Sequence, residues 1–179
     1  MNLKTVLIAL LSVLLIWSVY INKKTIVTLE YSQGIIARQE KSIDQKDQII
    51  KALRKRLKNQ EKTKKKRNQE VELLARLINA EAGAEWCTSE MKRLVGVVAL
   101  NRTKHKAFPD TLKEVIYQQG QYKCVIDGNI NKQPTKECYI IAENLLTNGY
   151  DDPKDVIWQS EFIQGKRVYK KIKNMYFCI

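Results

Sequence analysis

The sequence predicts a mainly helical globular domain with a small β element, preceded by a transmembrane helix and a long helical stalk. Three observations lead to this prediction. An uncharged apolar run lies near the N-terminus, a long stretch without proline follows it, and the remaining residues show apolar stripes of helical period before they end in short strand-like runs. We therefore expect three parts, which are an anchor over residues 1–24, a stalk over residues 25–69 and a globular domain over residues 70–179.

The anchor rests on residues 5–22, which carry no charged side chain. As a helix this run rises about 27 Å, close to the thickness of the hydrocarbon core of a bilayer. Lysine flanks the run on both sides, so charge does not fix its orientation. Its distal end, WSVYINKK, lacks the small residues of a cleavage site. We expect an uncleaved, single-pass anchor in the cell membrane with the globular domain outside the cytoplasm.

The stalk has one heptad position filled by apolar residues: Leu29, Ile36, Ile43, Ile50 and Leu57 recur every seven residues. The second core position of a coiled coil is mostly polar on either offset. This pattern predicts a long solvated helix that associates weakly with a second copy of the chain.

Positive charge is concentrated in the first part of the chain. The net charge of +13 divides into +10 over residues 1–70 and +3 over residues 71–179. The densest stretch, KALRKRLKNQEKTKKKR, is either a solvated linker or a surface for anionic wall polymers or lipids. A nucleic-acid partner is not expected, because it would leave the C-terminal motifs unexplained.

Four helices are expected in the globular domain. The first carries the apolar stripe of VELLARLINAEA, and the second, Met91–Leu100, is apolar on nearly every side. The third follows a proline, with Asp110 or Thr111 as its N-cap. The fourth is Lys136–Leu146, which an Asn-Gly pair ends.

The β element is expected at the C-terminal end. The runs Val156–Trp158, Arg167–Tyr169 and Met175–Cys178 are typical of short strands, and Gly165 lies between the first two. Before the fourth helix, Gly120–Gln133 is predicted to be a loop or short hairpin that turns at its Asp-Gly pair.

The residue inventory excludes several chemistries. The chain has one histidine, His105, and lacks HExxH, G-x-S-x-G, GxGxxG and phosphate-loop motifs, so we expect no metal and no cofactor. A peptidase that pairs His105 with Cys87 is disfavoured because both lie beside polar segments. The four cysteines (Cys87, Cys124, Cys138 and Cys178) allow either two disulfides or four buried thiols.

Glu81 is the carboxylate best placed for chemistry. It ends the apolar stripe LLARLINA and precedes small residues, so it is either a plain helix-end residue or a partly desolvated acid. Burial raises the pKa of a carboxyl group, and glycosidic cleavage requires such an acid to protonate the leaving oxygen. Glu85 would share its helical face if the helix continued past Gly83.

Four motifs, ARLINAEAGAE, VGVVALNR, FPDTLKEVIYQQGQY and ENLLTNG, closely resemble the SleB-type cell-wall hydrolases, the spore-cortex-lytic family. The resemblance runs from about Leu73 to Gly149. It implies a lysozyme-like α+β catalytic domain that cleaves the MurNAc–GlcNAc β-1,4 bond of peptidoglycan glycan strands. It also implies a lytic transglycosylase, in which Glu81 acts as acid and then as base while the C6 hydroxyl of the sugar attacks.

The candidate substrate-binding residues are Glu85, Trp86, Gln118, Gln121 and Tyr122. The resemblance places the QQGQY segment near the groove, and Trp86 either stacks on a sugar or packs. The chain departs from the family at Ala84 and at VIWQSEF, which stands where the family is rich in aromatic residues.

Two alternatives remain open. In the first, a lysozyme-type hydrolase uses Glu81 as the acid and a water activated by Glu85, Asp110 or Asp127. In the second, the domain binds peptidoglycan, or assembles on it, without cutting.

Overall fold

A computed structural model of the protein describes residues 2–179. The chain divides after Gln60 into two compact units, Met1–Gln60 and Glu61–Ile179. The first helix, α1, is Leu3–Ala82, so the predicted stalk helix and the first predicted helix of the globular domain form one element.

The first unit has no core among its described side chains. Most of the described apolar residues of the predicted anchor, such as Leu11 and Leu14, are more than half exposed, as are most of the heptad residues. By length and composition, α1 is apolar enough near the N-terminus to cross a membrane.

Helices supply most of the core of the second unit. The last turns of α1 contribute Leu74, Leu77 and Ile78, all fully buried, and α2 (Ser89–Arg102) is buried along most of its length. The Thr88 side chain caps α2 by accepting a hydrogen bond from the Met91 amide at 3.2 Å. This confirms the predicted helix, which extends two residues further at each end.

The remaining helices are short except for the last. They are α3 (Leu112–Tyr117), α4 (Lys123–Ile126), a 3₁₀ turn (Asn129–Asn131) and α5 (Lys136–Asn148). Thr111 caps α3, in agreement with one of the two predicted caps, and the predicted Asn-Gly end of α5 is also present.

The predicted hairpin alternative for Gly120–Gln133 is wrong, because α4 and the 3₁₀ turn fill this segment. Gly128 adopts a left-handed φ of 77°, but it joins two helical turns rather than two strands. The Asp127 carboxylate accepts a hydrogen bond from the Asn129 amide at 2.9 Å, which holds the backbone in this turn.

Three strands form an antiparallel sheet in the order β1-β3-β2: β1 is Trp158–Ser160, β2 is Val168–Ile172 and β3 is Met175–Cys178. The central strand β3 buries Phe177 and pairs it with Gln159 of β1. Strand β1 therefore begins two residues later than predicted. The mainly helical fold with a small β element is confirmed.

All four cysteines are buried and free. Of the two interpretations that the sequence left open, the structure has the buried thiols.

Candidate active site

Glu81 lies in the last turn of α1, where the chain turns away from the helix. The helix ends at Ala82. A Cβ at position 83 would lie 2.1 Å from the Asn79 carbonyl oxygen, so only glycine permits this close turn. The helix therefore presents Glu81 at its end rather than along an extended face.

Uncharged donors hold the Glu81 carboxyl group. The Gln159 amide Nε2 donates to Oε2 at 3.3 Å, and the neutral Cys124 thiol lies close enough to lower the pKa of the carboxyl group. Burial raises the pKa of Glu81, while these hydrogen bonds and the positive charge of Arg102 oppose the rise and the negative charge of Asp127 adds to it. Because burial has the largest effect, Glu81 keeps its proton to a higher pH than an exposed glutamate does.

Cys124 is itself a donor rather than a nucleophile. Burial, followed by its hydrogen bond to Glu81, raises the pKa of the thiol far above its ordinary value. The thiol therefore keeps its proton at every physiological pH, which disfavours thiolate chemistry at this site.

A buried cation lies close to this carboxyl group. Arg102 is 3% exposed, and its Nε donates to the Ile157 carbonyl at 2.8 Å. Its guanidinium carbon lies 5.0 Å from the Phe108 ring centroid and 5.1 Å from that of Tyr122. Burial raises the pKa of Tyr122 to about 12, so the phenol also stays neutral.

Asn101 fixes the segment that leads into β1. Its Nδ2 donates to the carbonyls of Pro153 and Val156, each at 2.9 Å, and its Oδ1 accepts from the Tyr150 hydroxyl at 2.9 Å. Together with Arg102, Asn101 ties the end of α2 to the residues before β1. The position of β1, and therefore of Gln159, is set by these contacts.

Several buried polar atoms of the domain have no hydrogen-bond partner, and three of them belong to neighbours of Glu81. Most buried polar atoms in natural proteins have a hydrogen-bond partner, so a buried atom without one requires an explanation, and a functional site is one such explanation. Among the described side chains, the unsatisfied atoms are Arg102 Nη1, Gln118 Oε1, Tyr122 OH and Gln159 Oε1.

The structure brings only some of the predicted site residues together. Tyr122 lies near enough to Glu81 for the carboxylate to help keep the phenol protonated. The backbone amide of Gln121 donates to the backbone carbonyl of Gln118 at 3.2 Å, just after α3. Glu85 is exposed beyond the end of α1, so it does not share a helical face with Glu81. Trp86 is half exposed and lies under Lys173, whose Nζ is 5.3 Å from the ring centroid.

Sequence reasoning missed two hydrogen-bonding neighbours of Glu81. In the sequence, Gln159 is only a polar residue inside VIWQSEF, where the chain departs from the family, and Cys124 is only one of four cysteines that form either disulfides or buried thiols. The sequence alone suits Arg102 to a structural role, since it closes a helix that is predicted to be buried. The sequence signal for the effect of Arg102 on the pKa of Glu81 is a charged side chain at the end of a helix that is predicted to be buried.

Among residues 2–179, no group of three or more His, Cys, Asp or Glu side chains is placed to hold a metal ion. A helical domain that presents a desolvated glutamate among neutral donors has the arrangement that enzymes use for proton transfer by a carboxylic acid.

Comparison with known proteins identifies the family of this domain. The model of the Cell Wall Hydrolase family matches residues 88–178, about half of the chain, and the chain belongs to this family. The matched range begins after Glu81. The resemblance inferred from the motifs is thereby confirmed.

A curated relative and two solved structures agree with this assignment. The spore cortex-lytic enzyme of Bacillus subtilis (strain 168) is 27% identical over 118 residues, which are 62% of this chain and 38% of that protein. The catalytic domain of the Bacillus cereus SleB protein superposes with a TM-score of 0.54 at 24% identity, over 63% of this chain and 91% of that one.

The catalytic domain of the germination-specific lytic transglycosylase SleB from Bacillus anthracis gives a TM-score of 0.52 at 23% identity, over 62% of this chain and 93% of that one. These two structures establish the fold of the C-terminal part of the chain.

Proposed function

We propose that the chain is a peptidoglycan-cleaving enzyme of the lytic transglycosylase type, with Glu81 as its acid and base. The observation that carries the proposal is the hydrogen bond by which Gln159 holds one oxygen of the partly buried Glu81 at 3.3 Å, in surroundings that raise the pKa of the carboxyl group. Membership of the cell wall hydrolase family and similarity to a spore cortex-lytic enzyme support the substrate, and the Bacillus anthracis relative, which is named a lytic transglycosylase, supports the class of reaction.

The proposed reaction needs a single carboxyl group. Protonated Glu81 gives its proton to the glycosidic oxygen of the MurNAc–GlcNAc bond, which breaks and leaves positive charge at C1 of MurNAc. The resulting Glu81 carboxylate then removes the proton of the C6 hydroxyl of the same sugar. The C6 oxygen bonds to C1, giving a 1,6-anhydro end and restoring the protonated acid.

The substrate-binding candidates keep different proposed roles. Gln118, Gln121 and Tyr122 would hydrogen-bond to acetamido and hydroxyl groups, and two of them already carry an unsatisfied buried atom. Trp86 exposes half of its surface and is suited to stacking on a sugar. Glu85, beyond the helix, would contact a more distant sugar.

Digestion of purified peptidoglycan tests this function. The full chain in detergent micelles, Glu81→Gln and the control Glu143→Gln, an exposed glutamate on α5, are compared by mass spectrometry of the released fragments. We expect anhydro-muramic ends from wild type and from the control, and a loss of at least about 100-fold in Glu81→Gln because the acid is gone. If Glu81→Gln released as many fragments as wild type, Glu81 would not be the catalytic acid.

One observation favours a second mechanism, hydrolysis by an activated water. Of the three carboxylates considered for that role, Asp127 is the one whose charge acts on Glu81. Reducing ends in the same digestion, lost in Asp127→Asn, would assign the hydrolase. If wild type binds peptidoglycan but releases nothing, the domain is a binding protein.

The proposed setting is the outer face of the cell membrane. Residues 5–22 would anchor the chain, residues 25–69 would form the stalk, and residues 70–179 would act on the wall. The basic stalk would contact anionic wall polymers, and its exposed heptad residues would allow weak self-association.

A further inference from the structure

We propose that Gln159 is a positioning residue that decides which oxygen of Glu81 carries the catalytic proton. The inference deepens the proposed function and rests on it for its catalytic meaning. Its geometric basis is the hydrogen bond from Gln159 Nε2 to Glu81 Oε2, at 3.3 Å, which joins residues 78 positions apart.

The backbone of Gln159 is fixed from both neighbouring sides. Within the sheet, Gln159 pairs with Phe177, which is fully buried, and the Ile157 amide donates to the Cys178 carbonyl at 3.1 Å. Arg102 holds the Ile157 carbonyl from α2. The side chain of Gln159 is therefore presented to Glu81 by a strand whose position is set by two other elements.

The loop after β1 adds a further constraint on this strand. Gly165 has a φ of 73°, and a Cβ there would lie 2.7 Å from Trp158 Cδ1 and 2.5 Å from the Ile179 carbonyl oxygen. The Lys166 amide donates to that same carbonyl at 2.6 Å. The backbone thus closes tightly over the residue that precedes Gln159.

The direction of the hydrogen bond determines where the proton sits. A proton on Oε2 would compete with the N–H of Gln159 for this contact, because the hydroxyl oxygen of a carboxylic acid accepts a hydrogen bond less well than its carbonyl oxygen. The contact with Gln159 therefore favours the proton on Oε1, and Cys124, the other neighbour of the carboxyl group, stays unchanged in the variants below. A general acid works only if its proton points at the leaving oxygen, so this selection orients the acid before substrate arrives.

A neutral donor suits this task better than a charged one. A lysine or arginine in the same contact would favour the carboxylate strongly and remove the acid at neutral pH, whereas an amide favours it only modestly. Gln159 uses one amide hydrogen and leaves its own Oε1 buried without a partner. The contact to Glu81 is thus the one polar contact of its side chain among the described residues.

Other groups also act on the protonation of Glu81 and must stay unchanged in the test. They come from α2, the segment around α4 and the turn after it: Arg102, Cys124 and Asp127, with Tyr122 coupled to the same carboxyl group. None of them is altered in the variants below.

Direct titration of Glu81 tests the contact without relying on activity. The full chain in detergent micelles is labelled with ¹³C-glutamate, and the Glu81 Cδ signal is assigned by its loss in Glu81→Gln. In Gln159→Met we expect the pKa of Glu81 to rise by about half to one unit, because a donor to the carboxylate is lost. Gln159→Glu, which keeps length and polarity, should raise it further by like-charge repulsion and serves if the methionine variant unfolds.

The matched control is Gln133→Met, which removes a glutamine donor to Tyr139 at 3.2 Å on another part of the domain. We expect no change in the Glu81 titration there. An unchanged Glu81 pKa in both Gln159 variants would overturn the proposal.

The pH dependence of peptidoglycan cleavage gives the second readout. In Gln159→Met the alkaline limb should move to higher pH with the pKa of Glu81, and the maximal rate should fall about ten-fold because the proton is no longer oriented. A lower rate with an unmoved limb would assign a merely structural role. A shifted titration in a protein that cleaves no peptidoglycan would uphold the positioning contact and remove the proposed function.

Discussion

Asn101 illustrates how one buried side chain can organise a site from a distance. It is fully buried, and each of its amide hydrogens and its oxygen has a partner in a segment about fifty residues away along the chain. We expect Asn101→Ala to lower the free energy of unfolding by about 3 kcal/mol, because two carbonyls and a hydroxyl lose their partners. Urea denaturation measures this change.

The control for this substitution is Asn144→Ala, at an exposed position of α5, which should change the unfolding free energy by less than about 0.5 kcal/mol. If Asn101→Ala cost no more than the control, the three hydrogen bonds would not be what holds the segment before β1.

Glu81 should reveal its desolvation through the pH dependence of stability. Because burial raises its folded pKa above the ordinary 4.5, the folded state holds this proton to a higher pH than the unfolded state does. Stability is therefore lost as pH rises from about 4.5 through the folded pKa. We expect Glu81→Gln, which has no carboxyl group to ionise, to gain stability relative to wild type at pH 7 compared with pH 4.

Thermal unfolding of both proteins across this range measures the effect. A constant difference between wild type and Glu81→Gln would mean that Glu81 is not desolvated. The expected gain in stability also illustrates how stability and activity oppose each other, since a group needed for catalysis can lower the stability of the fold.

At the scale of elements, α1 combines two surfaces of opposite character. Its N-terminal apolar side chains are exposed, and its later segment is dense in lysine and arginine. We expect wild type to remain in the membrane pellet after a high-salt wash, because burial of apolar side chains in lipid does not depend on salt.

Leu11→Arg combined with Leu14→Arg should release the chain, since each arginine costs about 2.5–3.5 kcal/mol near the centre of a membrane helix. The matched pair Ile36→Arg and Ile43→Arg lies on the stalk and should leave the chain in the pellet. Release of wild type by salt alone would show that the basic segment, not the apolar one, holds the membrane.

At the scale of the whole molecule, the hydrophobic core lies entirely within the second unit, from Leu74 to Cys178. We expect residues 61–179 alone to unfold cooperatively, because every core residue that the structure describes belongs to the second unit. The midpoint should be the same with and without reductant, since all four thiols are free. A midpoint lowered by reductant would instead indicate a stabilising disulfide.

The fold was predictable where local rules decide it. The periodicity of α2, the Thr111 cap of α3 and the Asn-Gly end of α5 each depend on residues within about one turn of one another. The sequence predicts the strands to within three residues of their bounds, but its Asp-Gly pair is also typical of a hairpin, which the structure does not form there. The same pair suits a turn between helices, and only the neighbours in space select between the two.

The candidate site was predictable only in part for the same reason. Glu81 could be identified from the stripe that it ends and from the motifs around it. Glu85 could not be judged, because its place depended on where the helix stopped. That end is set at Gly83 by its approach to the Asn79 carbonyl.

The sequence by itself determined the helical domain, the apolar and basic segments of α1, the family resemblance and Glu81 as the acid to consider. Only the tertiary structure decided that Gln159 contacts Glu81, that Arg102 is buried against Ile157 and three aromatic rings, and that the four thiols are unpaired. The physical reason is the separation along the chain over which each kind of interaction acts. Periodicity and capping act over a few residues, whereas these contacts join residues as many as 78 positions apart that meet only when α1, α2 and β1 pack together.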